Sequence, residues 1–157
     1  RVGYASGAPE AMYHFQLFKQ SANLHTSSLG QHIVASYLRE ATPKGFAAEI
    51  EKKCTLYRSN RDVMVEAAKT LLPPDTEFDI PHEGLFIWFR LPEYCNASDM
   101  VRQYSKELKV VLVPGPAFST RGGCKSCMRA SFSMVTHEKI QQGMERFAQM
   151  IAREKNG

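Results

Sequence analysis

Cys127-Met128-Arg129-Ala130-Ser131-Phe132-Ser133 alternates residue by residue. Successive side chains of an extended chain point to opposite faces, so Arg129, Ser131 and Ser133 share one face and Met128, Ala130 and Phe132 the other. One face is written for a core and the other is not. An arginine held in mid-strand presents a planar fork of donors from a rigid element, a geometry suited to bidentate capture of a carboxylate or phosphate. The other reading is an edge-strand arginine turned to water, and the strand alone leaves both open.

Outward from this strand the text alternates strand and helix. Upstream, Arg121-Gly122-Gly123 forms a glycine-rich lead-in, and Val110-Val111-Leu112-Val113 reads as a buried-type strand stopped by Pro114-Gly115-Pro116. Gly115 either lets a ligand approach the backbone closely or simply makes a turn, and Gly84 admits the same two readings. Phe78-Asp79-Ile80-Pro81 and the aromatic run Gly84 to Leu91 supply two more strands. Asn96 or Ser98 can cap a helix carrying Met100, Val101, Tyr104 and Leu108. Downstream, Thr136 caps a last amphipathic helix through Ile140, Met144, Phe147 and Ile151, with Glu138 in its first turn. These pieces specify an α+β unit in which a small sheet is covered by helices.

The earlier part is helical. Phe46, Ile50, Cys54, Tyr57, Met64, Ala68 and Leu71 recur at helical spacing until Pro73-Pro74, predicting a long helix over 46–72. A helix of that length often joins two bodies, which places a domain boundary near Gly45. Ahead of it, Ala11, Phe15, Phe18 and Ala22 mark a helix from Pro9 to Ala22. Leu29, Ile33, Tyr37 and Leu38 mark a second, capped by Ser28, after the polar break Asn23 to Ser28. Both helices carry apolar faces that would expose apolar surface or pair with another copy of the chain. Arg1 to Gly7 reads as a short strand running into a turn, like the cut end of something longer.

Composition bounds the function. The 157 residues are 43% hydrophobic and 10% aromatic, enough for a real core. Twenty Lys and Arg against sixteen Asp and Glu give +4, but the basic residues are scattered, which is no nucleic-acid footprint. No apolar segment approaches the length of a membrane span. No signal-like stretch opens the chain, although it begins at Arg1 without a methionine and a preceding segment could have carried one. Four cysteines are too sparse for a disulfide scaffold and favour a reducing, intracellular compartment, cytoplasmic or mitochondrial. Cys124 and Cys127 have zinc-ligand spacing, but neither Cys54 nor Cys95 supplies a second pair. Walker loop, dinucleotide fingerprint, nucleophile elbow and metalloprotease helix are all absent from these residues.

Four segments in order, Arg1 to Tyr4 (RVGY), Glu83 to Pro92 (EGLFIWFRLP), Val111 to Ser119 (VLVPGPAFS) and Met128 to Ser133 (MRASFS), resemble the C-terminal half of the fold-type-I, pyridoxal-phosphate-dependent aminotransferases. The likeness is to the class I branch with kynurenine/2-aminoadipate and multi-substrate enzymes, and it covers essentially the whole chain. It implies that 1–45 is the end of a large cofactor-binding domain. It also implies that 46–157 is the small C-terminal domain of the transferase fold, with the 46–72 helix linking them.

By that resemblance Arg1 pairs with the cofactor phosphate and Arg129 binds the substrate carboxylate. Phe86 lines the substrate pocket, with core packing as its rival role, and Leu24 lies near the partner subunit's site in a homodimer. Substrates would be an amino acid and a 2-oxo acid. In the family the cofactor is held as a Schiff base by a lysine a few residues upstream of the arginine that Arg1 matches. None of this chain's ten lysines stands in such a segment, so the chain alone is expected to be inactive. Two rival readings are a catalytically silent dimerisation or ligand-binding module and the effector domain of an aminotransferase-like transcription regulator.

Overall fold

The computed structural model describes residues 2–156. The chain divides into two compact units, one running to Lys52 and the other starting at Lys53, so the division falls inside a helix. That helix, α3, spans Pro43–Leu71, and α1 (Pro9–Ala22) and α2 (Ser28–Glu40) precede it. The Thr42 hydroxyl accepts the Gly45 N–H at 3.1 Å and Pro43 fills the first helical position, so α3 starts ahead of the expected Phe46.

In the first unit α1 and α2 bury no residue. Phe18 and Leu29 are each 70% exposed and Ile33 is 61% exposed, so the apolar faces written into these helices lie open. Ser27, one residue before the expected Ser28, is the residue preceding α2, and its hydroxyl makes no capping bond. The loop is instead braced from both sides of Thr26: its carbonyl accepts the Gln31 side chain at 2.7 Å, and its hydroxyl accepts from Lys19 at 3.4 Å.

In the second unit β1 (Glu77–Phe78), β2 (Phe86–Arg90), β3 (Val113–Pro114) and β4 (Cys127–Ser131) form a sheet in the order β1-β2-β4-β3, with every pairing antiparallel. Directly opposite residues share a face, so Ile87, Phe89, Met128 and Ala130 project together. All four are buried, against Met144, Phe147 and Ile151 of α5 (His137–Asn156) and Met100 of α4 (Ala97–Leu108). Phe89 is the centre of this core: its ring lies 5.6 Å from Phe147 and 5.3 Å from Phe78.

Local rules place the helix ends. Asn96, rather than Ser98, caps α4, its side-chain oxygen accepting the N–H groups of Ser98 and Asp99 at 3.2 and 3.4 Å. Lys109 closes α4 in the left-handed conformation, and Arg146 donates to its freed carbonyl at 3.0 Å. This closure shortens the strand expected over Val110 to Val113. The Val110 N–H still turns back to the Ser105 carbonyl, Val111 is exposed, and only Val113 and Pro114 pair with β4. The strand expected at Phe78 to Pro81 is likewise only Glu77–Phe78. Thr136 does assist α5, its hydroxyl accepting the Lys139 N–H at 3.4 Å.

One buried polar side chain ties α3 to the sheet. Asn60 donates to the carbonyls of Phe132 at 2.8 Å and Val135 at 3.0 Å, fixing the turn that leaves β4. Replacing Asn60 by Ala strands both acceptors, and is expected to cost about 2–3 kcal/mol. A urea denaturation midpoint checks this.

Cys95 is buried, and burial first, then Glu154 and Asp75, pushes its thiol from 9.0 up to about 11. The folded state then keeps a proton that the unfolded chain releases, so the contribution of Cys95 is whole below pH 9 and is lost as pH rises towards about 11. Stability is expected to fall across that window less steeply in Cys95→Ala than in the unaltered chain, by urea titration at stepped pH.

Candidate functional site

Arg129 occupies the middle of β4, opposite Trp88 of β2 on one side and Val113 of β3 on the other. An interior strand removes the edge-strand reading. Because Trp88 and Arg129 are partners, Phe86, Trp88 and Arg129 stand on the same face of the sheet, the one turned away from the core of Ile87, Phe89 and Met128.

The guanidinium lies between two rings. Its central carbon is 4.0 Å from the Phe86 centroid and 4.3 Å from the Phe118 centroid. Phe118 ends a one-turn 3-10 helix, Gly115–Phe118, and its ring edge meets Trp88 at 5.5 Å with an interplanar angle of 72°. Each cation–ring contact contributes about 0.5–2 kcal/mol.

The polar surroundings of Arg129 are sparse. Its Nε is buried and has no hydrogen-bond partner, and among the described residues no acidic side chain pairs with it. The neighbouring hydroxyls are engaged with each other and with backbone: Ser131 Oγ donates to the Leu85 carbonyl at 3.4 Å and meets Ser133 Oγ at 3.2 Å. A guanidinium held in mid-strand without an acidic partner among the described residues can take a planar carboxylate with two parallel N–H···O bonds.

Glycine shapes the frame at two positions. Gly84, ahead of β2, has φ +88°, a conformation that L side chains rarely adopt. Gly115 serves its own fold: a Cβ there would lie 2.4 Å from the Cys124 carbonyl oxygen and 2.8 Å from the Cys127 Cβ. The close approach foreseen for a ligand is therefore taken by the chain itself.

Of the residues singled out from sequence, Phe86 and Arg129 are brought together. Leu24 stands in the first unit, 71% exposed and in the left-handed region at φ 60°, a conformation costly for a leucine. Arg1 lies outside the described residues. Phe118 and Trp88 also stand at the arginine, and the spacing of the sequence does not point to either. The aromatic at the end of the Pro114-Gly115-Pro116-Ala117-Phe118 turn was the available signal. No group of described residues could hold a metal ion, and all four cysteines are free thiols.

A small four-stranded antiparallel sheet flanked by helices is consistent with a small C-terminal transferase subdomain. The model of the family "Aminotransferase class I and II" matches residues 1–147. The chain belongs to that family, the fold-type-I aminotransferases, and is kynurenine/2-aminoadipate aminotransferase-like.

It is 31% identical to the 2-aminoadipate transaminase of Thermus thermophilus over 96% of this chain and 37% of that protein. It is 29% identical to the mitochondrial kynurenine/alpha-aminoadipate aminotransferase of Mus musculus over 96% of this chain and 36% of that protein. Among solved structures, the alpha-aminoadipate aminotransferase of Thermus thermophilus complexed with N-(5'-phosphopyridoxyl)-L-leucine superposes with TM-score 0.83 at 30% identity, covering 95% of this chain and 37% of that one. The chain thus spans a little over a third of the length of the relatives it matches.

Gly115→Ala is expected to destabilise the second unit by about 1–3 kcal/mol, because the new methyl group meets a backbone oxygen with no room to move. A urea midpoint unchanged from the glycine form would contradict this packing.

Proposed function

We propose that the chain provides the carboxylate-binding part of an aminotransferase, which moves an amino group from an amino acid to a 2-oxo acid with pyridoxal phosphate. One observation carries the reading: Arg129 lies 4.0 and 4.3 Å from the Phe86 and Phe118 rings with its Nε buried and, among the described residues, no acidic partner. The shared feature of donor and acceptor is an α-carboxylate. One arginine can hold both in turn, and holding the carboxylate flat orients the Cα–H bond for proton removal.

The donor set around Arg129 fits a substrate carboxylate better than the cofactor, whose ring nitrogen needs an acid and whose aldehyde needs a lysine. None of the described lysines is buried. In this reading Arg1 takes the cofactor phosphate, and the lysine that carries the cofactor lies outside this chain, which alone would not turn over. When bound, the cofactor acts as an electron sink that accepts the amino group and later gives it up. Phe86 walls the substrate pocket, and Leu24 approaches the site of the partner subunit in a homodimer. The protein works inside the cell, in cytoplasm or mitochondria.

In the full-length protein, Arg129→Leu removes one partner of a charge-assisted bidentate pair. Such losses cost roughly 2–5 kcal/mol, so kcat/KM is expected to fall about 30-fold or more for donor and acceptor alike. The cofactor's absorbance should be retained. Undiminished kcat/KM in that variant would remove Arg129 from the substrate site.

A further inference from the structure

Cys124-Lys125-Ser126-Cys127 is a tight turn at the start of β4, and the Cys127 N–H donates to the Cys124 carbonyl at 3.0 Å. A four-residue turn holds its end Cα atoms within about 7 Å, and disulfides span Cα separations of about 4.4–6.8 Å. The Cβ atoms of both cysteines lie within 3.0 Å of a single point, the place a Gly115 Cβ would take. Both are free thiols. Cys124 is exposed and Cys127 is buried. An oxidant can therefore reach one sulfur while the other waits beside it.

Their position couples them to the clamp. Cys127 shares the sheet face of Arg129, two residues along β4, and Trp88 stands on that same face as the cross-strand partner of Arg129. Trp88 in turn meets Phe118, one of the two rings on Arg129. The middle of the turn cannot absorb a change, because the carbonyls of Lys125 and Ser126 accept the N–H groups of Ala97 and Leu91, each at 2.9 Å. Gly115, which begins the 3-10 turn that carries Phe118, is packed against Cys124 with no space to spare.

The geometry points to Cys124 and Cys127 as a reversible dithiol–disulfide site whose closure shifts the Trp88–Phe118 pair that seats Arg129. With a low-molecular-weight disulfide such as oxidised glutathione as oxidant, the Cys124 thiolate attacks one glutathione sulfur and expels the other as thiolate. The Cys127 sulfur, giving up its proton, then attacks the Cys124 sulfur, forming the intramolecular bond and releasing the second glutathione. Two electrons pass to the oxidant, and the two thiol protons end on the two glutathiones. Reduced glutathione reverses both exchanges. This inference does not depend on the proposed substrate.

The test equilibrates the chain in graded mixtures of reduced and oxidised glutathione, followed by acid quenching, alkylation and trypsin. Trypsin cuts after Lys125, between the two cysteines, so closure appears as Gly122–Lys125 joined to Ser126–Arg129. The expected result is this linked pair, reversed by dithiothreitol, absent from Cys124→Ser and retained in Cys54→Ser. A lasting glutathione adduct on Cys124, or no linked pair in the most oxidising mixture, overturns the site. Coupling is read from the Arg129 Nε–H resonance of arginine-labelled chain, assigned by its loss in Arg129→Lys, since the two flanking rings dominate its shift. It should move between the reduced and closed forms; an unmoved resonance in fully closed chain overturns the coupling.

Discussion

A guanidinium nitrogen buried without an acceptor, as Arg129 Nε is, costs about 1–3 kcal/mol, and the second unit is arranged around carrying that cost. The strand is interior, so Arg129 cannot swing out as an edge residue could. Phe86 and Phe118 both hold the cation within cation–ring distance and leave its Nε buried. A lysine in the same place would have a strongly hydrated point charge and no plane to clamp. The site is thus specific to arginine for reasons of shape as much as of charge.

The rigidity behind the clamp comes from the other face of the sheet. Ile87, Phe89, Met128 and Ala130 alternate with the functional face and are locked against α4 and α5, so β2 and β4 cannot slide without exposing core. Asn60 pins the exit of β4, and Gly115 lets the turn carrying Phe118 press against the cysteine turn. Asn60 acts through its two hydrogen bonds to backbone and Gly115 through packing. Arg61 adds to the same frame by donating to the Pro81 carbonyl at 3.1 Å, steadying the segment that enters β2.

Much of this was legible in the residues. Alternation along Cys127 to Ser133 fixed which side of β4 faces the core, and the spacing from Ile140 to Ile151 fixed the buried face of α5. The strand expected at Val110 was misread because a run of valines has high strand propensity, whereas the left-handed close at Lys109 and the limited reach of β4 decide what can pair. Phe118 was hidden because its partnership with Arg129 is made by a 3-10 turn, and no periodicity encodes that. Asn60 was hidden too: in a helix a polar residue reads as solvated until the chain brings two carbonyls to it. The open faces of α1 and α2 were legible as apolar stripes, but what covers such stripes is not written in them.

The carboxylate-binding role proposed for Arg129 is tested most directly by following its Nε–H resonance in the full-length protein during titration with 2-oxoglutarate. The account predicts a saturable movement of that resonance, with no comparable movement for chloride at matched ionic strength. A resonance that stays in place while the ligand binds, or that moves equally with chloride, would contradict it.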